Sequence, residues 1–251
     1  AGTNLVTGTA ADDTCVTFPP HVSLGERVLF PRRDDERVGL EDARFVRFID
    51  DGSAPRYLAT YTAFDGTSIR PRLLETDDFA TFRFHDLAGE AARDKGMALF
   101  PRRIGGRYAA FSRYDDQSNH LVFSDDLRSW DRPVRIQAPK RSWELIKLGN
   151  AGSPLETDDG WLVLTHAVGP LREYALAALL LDRDDPTRVL GSLSEPLLIA
   201  ADDERDGYVP NVVYSCGSLI HAGLLVLPYG FADRGVGIAT VSLGTLLERL
   251  R

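Results

Sequence analysis

Two copies of one turn signature constrain this chain more than any other feature it carries. Glu75-Thr76-Asp77-Asp78-Phe79 and Phe123-Ser124-Asp125-Asp126-Leu127 share the order hydroxyl, Asp, Asp, apolar, with an aromatic just beyond at Phe82 and Trp130. Short acidic and hydroxyl side chains bond the nearby backbone in tight turns, so each copy marks a hairpin corner. The copies stand roughly 50 residues apart, and that period with four short strands per unit is the signature of propeller blades. Short β-branched or aromatic runs flanked by turn residues surround them: Arg56–Ala63, Arg107–Phe111, Trp161–His166 and Gly223–Leu227. Helical spacing occurs clearly once, in Leu243, Leu246, Leu247 and Leu250 behind the capping residue Ser242. The fold expected is all-β, a propeller with a short C-terminal helix. At roughly 50 residues per blade, 251 residues amount to about five blades in one domain spanning 1–251.

Composition narrows the function classes. The chain is 43% hydrophobic and 26% charged, enough for a large core under a solvated surface. A net charge of −8 with interleaved signs argues against nucleic acid, which needs a concentrated basic face. No run of about 18 apolar residues could span a membrane. Two cysteines without a CxxC partner, Cys15 and Cys216, exclude a disulfide scaffold or zinc cluster and point to reduced thiols in a cytoplasmic setting. No signal peptide is evident, although Ala1-Gly2-Thr3 reads like the middle of a chain. No metal cluster and no phosphate-cradling glycine loop is visible, so no organic cofactor is expected.

Chemistry concentrates in a few segments. Arg37-Val38-Gly39-Leu40-Glu41-Asp42-Ala43-Arg44 places an acidic pair and an arginine at the entrance of a strand starting at Phe45. Inner-strand entrances face the central channel of a propeller, where a carboxylate can serve as a general acid. A turn with a surface ion pair from Asp42 to Arg44 or Arg37 accounts for the same pattern. Lys95 precedes Gly96 and an apolar run, and either points into the channel or faces solvent. Arg113 continues the alternation of Ala109 and Phe111, and a charge in register with apolar positions needs a partner. His166 shares a face with Leu162, Leu164 and Val168, as a core histidine would, yet it lies close to the strand end at Gly169-Pro170. Tyr229-Gly230-Phe231-Ala232-Asp233-Arg234-Gly235 reads by itself as a turn between strands.

Taken in order, these segments resemble glycoside hydrolase family 130, five-bladed propellers that comprise β-mannoside phosphorylases and related mannosidases. The resemblance runs along nearly the whole chain. It begins with Gly39-Leu40-Glu41-Asp42-Ala43-Arg44, Lys95 with Leu99-Phe100-Pro101, and Arg113. It continues through Trp143–Gly149, Gly160-Trp161-Leu162 with Thr165-His166, Leu180-Leu181-Asp182, Val209–Val213 and Cys216-Gly217, and ends in Tyr229-Gly230 with Ala232-Asp233. Family members carry a further blade before the first motif, so the first blade here is expected to be shortened or missing. Ala43 in place of proline, and Thr165-His166-Ala167 in place of Tyr-His-Gly, set the chain in a less familiar branch.

The resemblance implies roles. Asp42 is the proton donor, either directly or through a sugar hydroxyl. Arg44, Lys95, Arg113 and His166 are the phosphate-facing basic set, Asp233 hydrogen-bonds the sugar ring, and Glu41 buttresses the motif. Inverting cleavage needs an acid on one side of the bond and a nucleophile on the other. A hydrolase supplies a second carboxylate to activate water, whereas a phosphorylase needs a cationic clamp for phosphate. The retained basic set favours phosphorolysis of β-mannosides to mannose 1-phosphate, with inorganic phosphate as co-substrate and an oligosaccharide or mannoside as partner. Inverting hydrolysis and a non-catalytic sugar-binding propeller stay open, as do the linkage and a homo-oligomeric state.

Overall fold

The computed structural model describes residues 6–7, 9–12, 14–50 and 52–251. Residues 1–5, which include the Ala1-Gly2-Thr3 start, lie outside them. Four antiparallel sheets follow one another along the chain, each a blade of a propeller-like arrangement. The first blade runs Gly39–Phe48, Arg56–Phe64, Ile69–Thr76 and Thr81–Asp86, and Cys15–Thr17 extends its outer edge beside Thr81–Asp86. The second runs Ala98–Leu99, Tyr108–Ser112, Asn119–Ser124 and Asp131–Gln137. The third is built on Gly160–Val168 and Tyr174–Leu181, with Lys147–Asn150 and Leu155–Thr157 as its broken first strand. The fourth is built on Leu224–Phe231 and Gly235–Ser242, with Val213–Tyr214 and Leu219–His221 as its first strand. The helix Leu243–Leu250 follows, and the hydroxyl of Ser242 accepts from the Thr245 amide at 3.4 Å, as a capping residue should.

The hairpin corners form as the turn chemistry requires. Asp78 Oδ1 accepts from the amides of Ala80 and Thr81 at 2.8 and 2.9 Å, and Asp126 Oδ1 accepts from Arg128 and Ser129 at 2.8 Å each. Packing between blades explains why Gly160–Val168 reads as one continuous apolar run. Trp161 and Val163 face the second blade and meet Phe100, Phe111 and Leu121, while Leu162 and Leu164 face the fourth and meet Leu225 and Leu227. A strand buried on both faces has no solvent side to alternate with. Leu246, Leu247 and Leu250 of the helix close the same core.

A second repeat leads into the blades. Short 3₁₀ turns, Asp34–Glu36, Ser142–Glu144 and Asp202–Glu204, stand ahead of the first, third and fourth blades. Each ends in a glutamate that folds back on the turn: Glu36 accepts from the Arg32 amide, Glu144 from the amides of Lys140 and Arg141, and Glu204 from the Ala201 amide. Glu36 also accepts from the Tyr61 hydroxyl at 2.6 Å and Glu204 from the Tyr229 hydroxyl at 2.7 Å, both partners 25 residues further on. The first and last of these turns carry the same tetrapeptide, Asp34-Asp35-Glu36-Arg37 and Asp202-Asp203-Glu204-Arg205, and the structure shows what its glutamate does.

The first strands are interrupted where they approach one another. In the first blade Glu41 pairs with Thr62 but Arg44 with Thr60, so one extra residue is accommodated as a bulge at Asp42-Ala43. Asp42 takes a φ of 55°, a left-handed conformation that aspartate tolerates better than most residues. The third blade breaks at residues 151–154 and the fourth at 215–218, and these two breaks touch. A Cβ on Gly152, whose φ is +126°, would lie 2.6 Å from Gly217 Cα. Bulges re-aim side chains, and here they turn them towards one place.

Candidate functional site

Side chains from all four blades meet at those breaks. Arg44, only 1% exposed, donates from Nη2 to the Tyr214 hydroxyl at 2.6 Å, and that hydroxyl donates to Asp42 Oδ2 at 3.3 Å. Tyr214 comes from the fourth blade, so one hydroxyl joins residues 170 and 172 positions apart. The Cys216 thiol also donates to Asp42, and burial foremost pushes that thiol up to about 11. Arg113, at the end of the second blade's Tyr108–Ser112 strand, grips Asp94 Oδ2 through Nε at 3.0 Å and Nη2 at 2.9 Å. Its Nη1 lies 3.3 Å from His166 Nε2.

His166 is not a cation. Burial foremost, then the charges of Arg113 and Arg44, push its imidazolium down to about 3, so the ring is neutral at pH 7. Its Nδ1 sits 3.0 Å from the Asn150 carbonyl, which has no proton to give, so Nδ1 carries the hydrogen and Nε2 accepts from Arg113. Gly149 makes this possible: a Cβ there would lie 2.3 Å from His166 Cε1. The His166 ring centroid is 5.0 Å from that of Tyr214, which ties the third and fourth blades to the same spot. Of the four basic residues expected to act together, three therefore bear charge.

The remaining expectations divide. Lys95 Nζ meets Glu41 Oε2 at 2.5 Å, and both side chains are about one third exposed, so Lys95 is neither lost to solvent nor free. Gly96 next to it has a φ of +90° and brings the backbone against Arg44, its Cβ direction ending 3.8 Å from both terminal nitrogens. The Gly96 carbonyl accepts from the Asn150 side chain, which links the second and third blades. Arg37 donates to the Asp65 carbonyl at 2.7 Å, so the surface pair of Asp42 with Arg37 does not form, while Arg44 is buried and reaches Asp42 through the Tyr214 hydroxyl. Asp233 is exposed in the turn between the last two strands, and among the described residues no hydrogen bond or ion pair joins it to the cluster.

Tyr214, Asn150 and Asp94 were not marked by motif reading. Tyr214 lies between Val213 and Cys216 in a segment that otherwise matched, and Asp94 sits beside Lys95. The available signal was the polar tip of an aromatic at a strand break. Arg44 spends one N–H on Tyr214, and its buried Nε has no hydrogen-bond partner. Burial opposes its charge, yet Tyr214, Cys216 and Asp42 together hold the guanidinium above its ordinary range. The cluster thus offers a carboxyl group, a buried arginine with unspent donors, and a second arginine already compensated by Asp94. Such a set can hand a proton to a leaving oxygen and hold an anion nearby. No group of three or more His, Cys, Asp or Glu among the described residues could hold a metal ion, and none of their helices is long and apolar enough to cross a membrane.

Known proteins resemble this chain over most of its length. The 1,2-β-oligomannan phosphorylase of Thermoanaerobacter sp. (strain X514) is 33% identical over 227 residues, covering 88% of this chain and 74% of the relative. The β-1,4-mannooligosaccharide phosphorylase of Ruminococcus albus is 32% identical over 219 residues, covering 82% and 64%. Among solved structures, β-1,2-mannobiose phosphorylase from Listeria innocua, in complex with β-1,2-mannobiose, superposes with a TM-score of 0.78 at 26% identity, covering 88% of this chain and 63% of that one. The chain therefore spans roughly two thirds to three quarters of the length of these relatives. A family model described as β-1,4-mannooligosaccharide phosphorylase matches residues 20–251. On the match of that model, this chain belongs to glycoside hydrolase family 130.

Proposed function

We propose that the chain forms the catalytic propeller of a β-mannoside phosphorylase, which cleaves its substrate with inversion and releases mannose 1-phosphate. The observation that carries this reading is the meeting of Asp42, Arg44, Arg113 and His166 from three blades around one tyrosine of the fourth. Asp42 gives its proton to the leaving oxygen, directly or through a sugar hydroxyl. Phosphate attacks the anomeric carbon from the opposite face, and the glycosidic C–O bond breaks as the C–O bond to phosphate forms. Arg44 supplies unspent N–H donors to the anion, Lys95 and Arg113 add charge, and neutral His166 orients Arg113. Glu41 and Asp233 are assigned to the sugar. Inorganic phosphate is the co-substrate, and no other cofactor enters the scheme.

Hydrolysis has one feature in its favour, since Asp94 is a second carboxylate near the cluster. Its contacts with Arg113, both to Oδ2, weigh against it as a base for water, because that oxygen is already spent on the guanidinium. Mannose 1-phosphate release from β-1,2- and β-1,4-mannobiose, measured with and without phosphate, tests the reading. Equal turnover to free mannose without phosphate would make the protein an inverting β-mannosidase. Mannoside binding by calorimetry with no turnover in either condition would make it a sugar-binding propeller.

A ring of five blades is the finer fold that goes with this function. Support comes from the open face of the fourth blade, where Val236 and Ile238 are 87% and 73% exposed. A cavity of about 460 Å³ separates that face from Ala43 and Phe45 of the first blade. A further sheet placed there would cover both apolar surfaces and wall the site on the Asp42 side.

A further inference from the structure

We propose that Tyr214 is a positioning residue of the reaction, fixing the proton donor Asp42 and the anion-binding Arg44 in one geometry through a single hydroxyl. The inference rests on the assignment of Asp42 as the acid and goes beyond it. Three observations support it. The hydroxyl occupies the junction of a directed chain: Arg44 Nη2 donates to it at 2.6 Å, and it donates to Asp42 Oδ2 at 3.3 Å. Among the described residues no direct hydrogen bond joins Arg44 to Asp42, and the hydrogen-bonded link between them runs through the Tyr214 hydroxyl. Arg44 is buried, whereas Asp42 sits in a bulge with a left-handed backbone and among the described residues is held besides by the Cys216 thiol.

The ring itself is fixed from outside the pair. Its strand pairs Tyr214 with Gly230, and the His166 ring centroid lies 5.0 Å from its own. Burial keeps the phenol protonated well above its ordinary range, so the hydroxyl always has a hydrogen for Asp42. An acid that must meet a leaving oxygen within hydrogen-bond reach loses rate when its carboxyl turns away, and a displacement near 1 Å can cost about 10²-fold. A phenol braced by two blades is stiffer than the bulge that carries Asp42. The structure therefore assigns the placement of the acid to the fourth blade and not to the strand on which the acid is encoded.

The test is Tyr214→Phe, which keeps the ring and removes both hydrogen bonds, read as kcat against KM in mannoside cleavage. The expected result is a kcat loss of about 10- to 100-fold, a mannoside KM unchanged within about twofold, and a raised KM for phosphate. In an Asp42→Asn background the same change should cost less than about twofold, because the residue being positioned is no longer an acid. Equal losses in the two backgrounds, or an unchanged kcat in the single variant, overturn the proposal. Should Tyr214→Phe fail to fold, 3,5-difluorotyrosine placed at position 214 keeps the shape while strengthening the donor and weakening the acceptor. Unchanged kcat and phosphate KM in that protein also overturn it. A wild-type protein that cleaves mannosides equally well without phosphate would remove the phosphorolytic reading alone, since the kcat loss and its dependence on Asp42 would still report Tyr214.

Discussion

Lowering the pH from 7 to 5 probes the least expected property of the site, the neutral state of His166. In the folded protein the imidazole takes up a proton only near pH 3, against 6.5 for an ordinary histidine. Between these values the unfolded chain binds a proton that the folded chain refuses, so stability is complete above pH 6.5 and falls as pH drops towards 3. From that difference, the loss due to this residue is about 2 kcal/mol between pH 7 and pH 5, approaching 1.4 kcal/mol per unit below that. Above pH 5 the carboxylates of both states remain largely ionised, so the window isolates histidine. The assay is urea unfolding of wild type and His166→Gln at half-unit intervals, since glutamine offers Arg113 a carbonyl acceptor with no titration. The other four histidines are common to both proteins and cancel in the difference. The wild type should lose about 2 kcal/mol more than the variant over this range. Parallel curves would refute the reasoning and return His166 to the cations.

Further expectations address the acid, the packing of the histidine, and the frame. Asp42→Asn should lower turnover by about 10²–10⁴, the ordinary worth of general acid catalysis, with thermal stability little changed; an unchanged rate would remove Asp42 from the mechanism. Gly149→Ala places a methyl 2.3 Å from His166 Cε1, so the ring must leave the Asn150 carbonyl and Arg113. A rate loss of about 10-fold or more is expected, and a crystal structure of the variant would show the displaced ring. Glu36→Gln weakens a buried carboxylate that holds Tyr61 and Arg72 at 2.6 and 2.8 Å. About 2–3 kcal/mol of stability should disappear by chemical denaturation, with kcat of the folded fraction intact. The loss is moderated because Asp86 still faces Arg72 at 2.9 Å.

Much of the frame was legible because it is written in local chemistry. The corners at Asp78 and Asp126, the strands they close, and the capped helix from Leu243 all depend on residues within a few positions of one another, and each formed as read. Motif order led to the family and to Asp42, Arg44, Arg113 and His166. The blade count behaved differently: a length divided by a period suggested five, whereas the described residues build four, with Cys15–Thr17 added to the first sheet instead of opening another. Length cannot distinguish a strand that founds a blade from one that extends an edge. The glutamates of the first and last 3₁₀ turns stand in the same tetrapeptide, Asp-Asp-Glu-Arg at 34–37 and 202–205, but their partners Tyr61 and Tyr229 are chosen by the fold and not by that local pattern.

What the sequence determined alone was the set of pieces: repeating hairpins, apolar runs that must be buried on both faces, and an ordered series of polar motifs at strand ends. Tertiary structure decided what those motifs are to one another. Only packed blades bring Tyr214 to Asp42 across 172 positions and set Arg113 against a histidine. Only the low-dielectric interior they create keeps this imidazole neutral far below the pH at which an ordinary histidine charges, since the cost of a buried charge depends on everything around it. Turn chemistry is local and survives reading along the chain, while protonation and convergence belong to the folded neighbourhood.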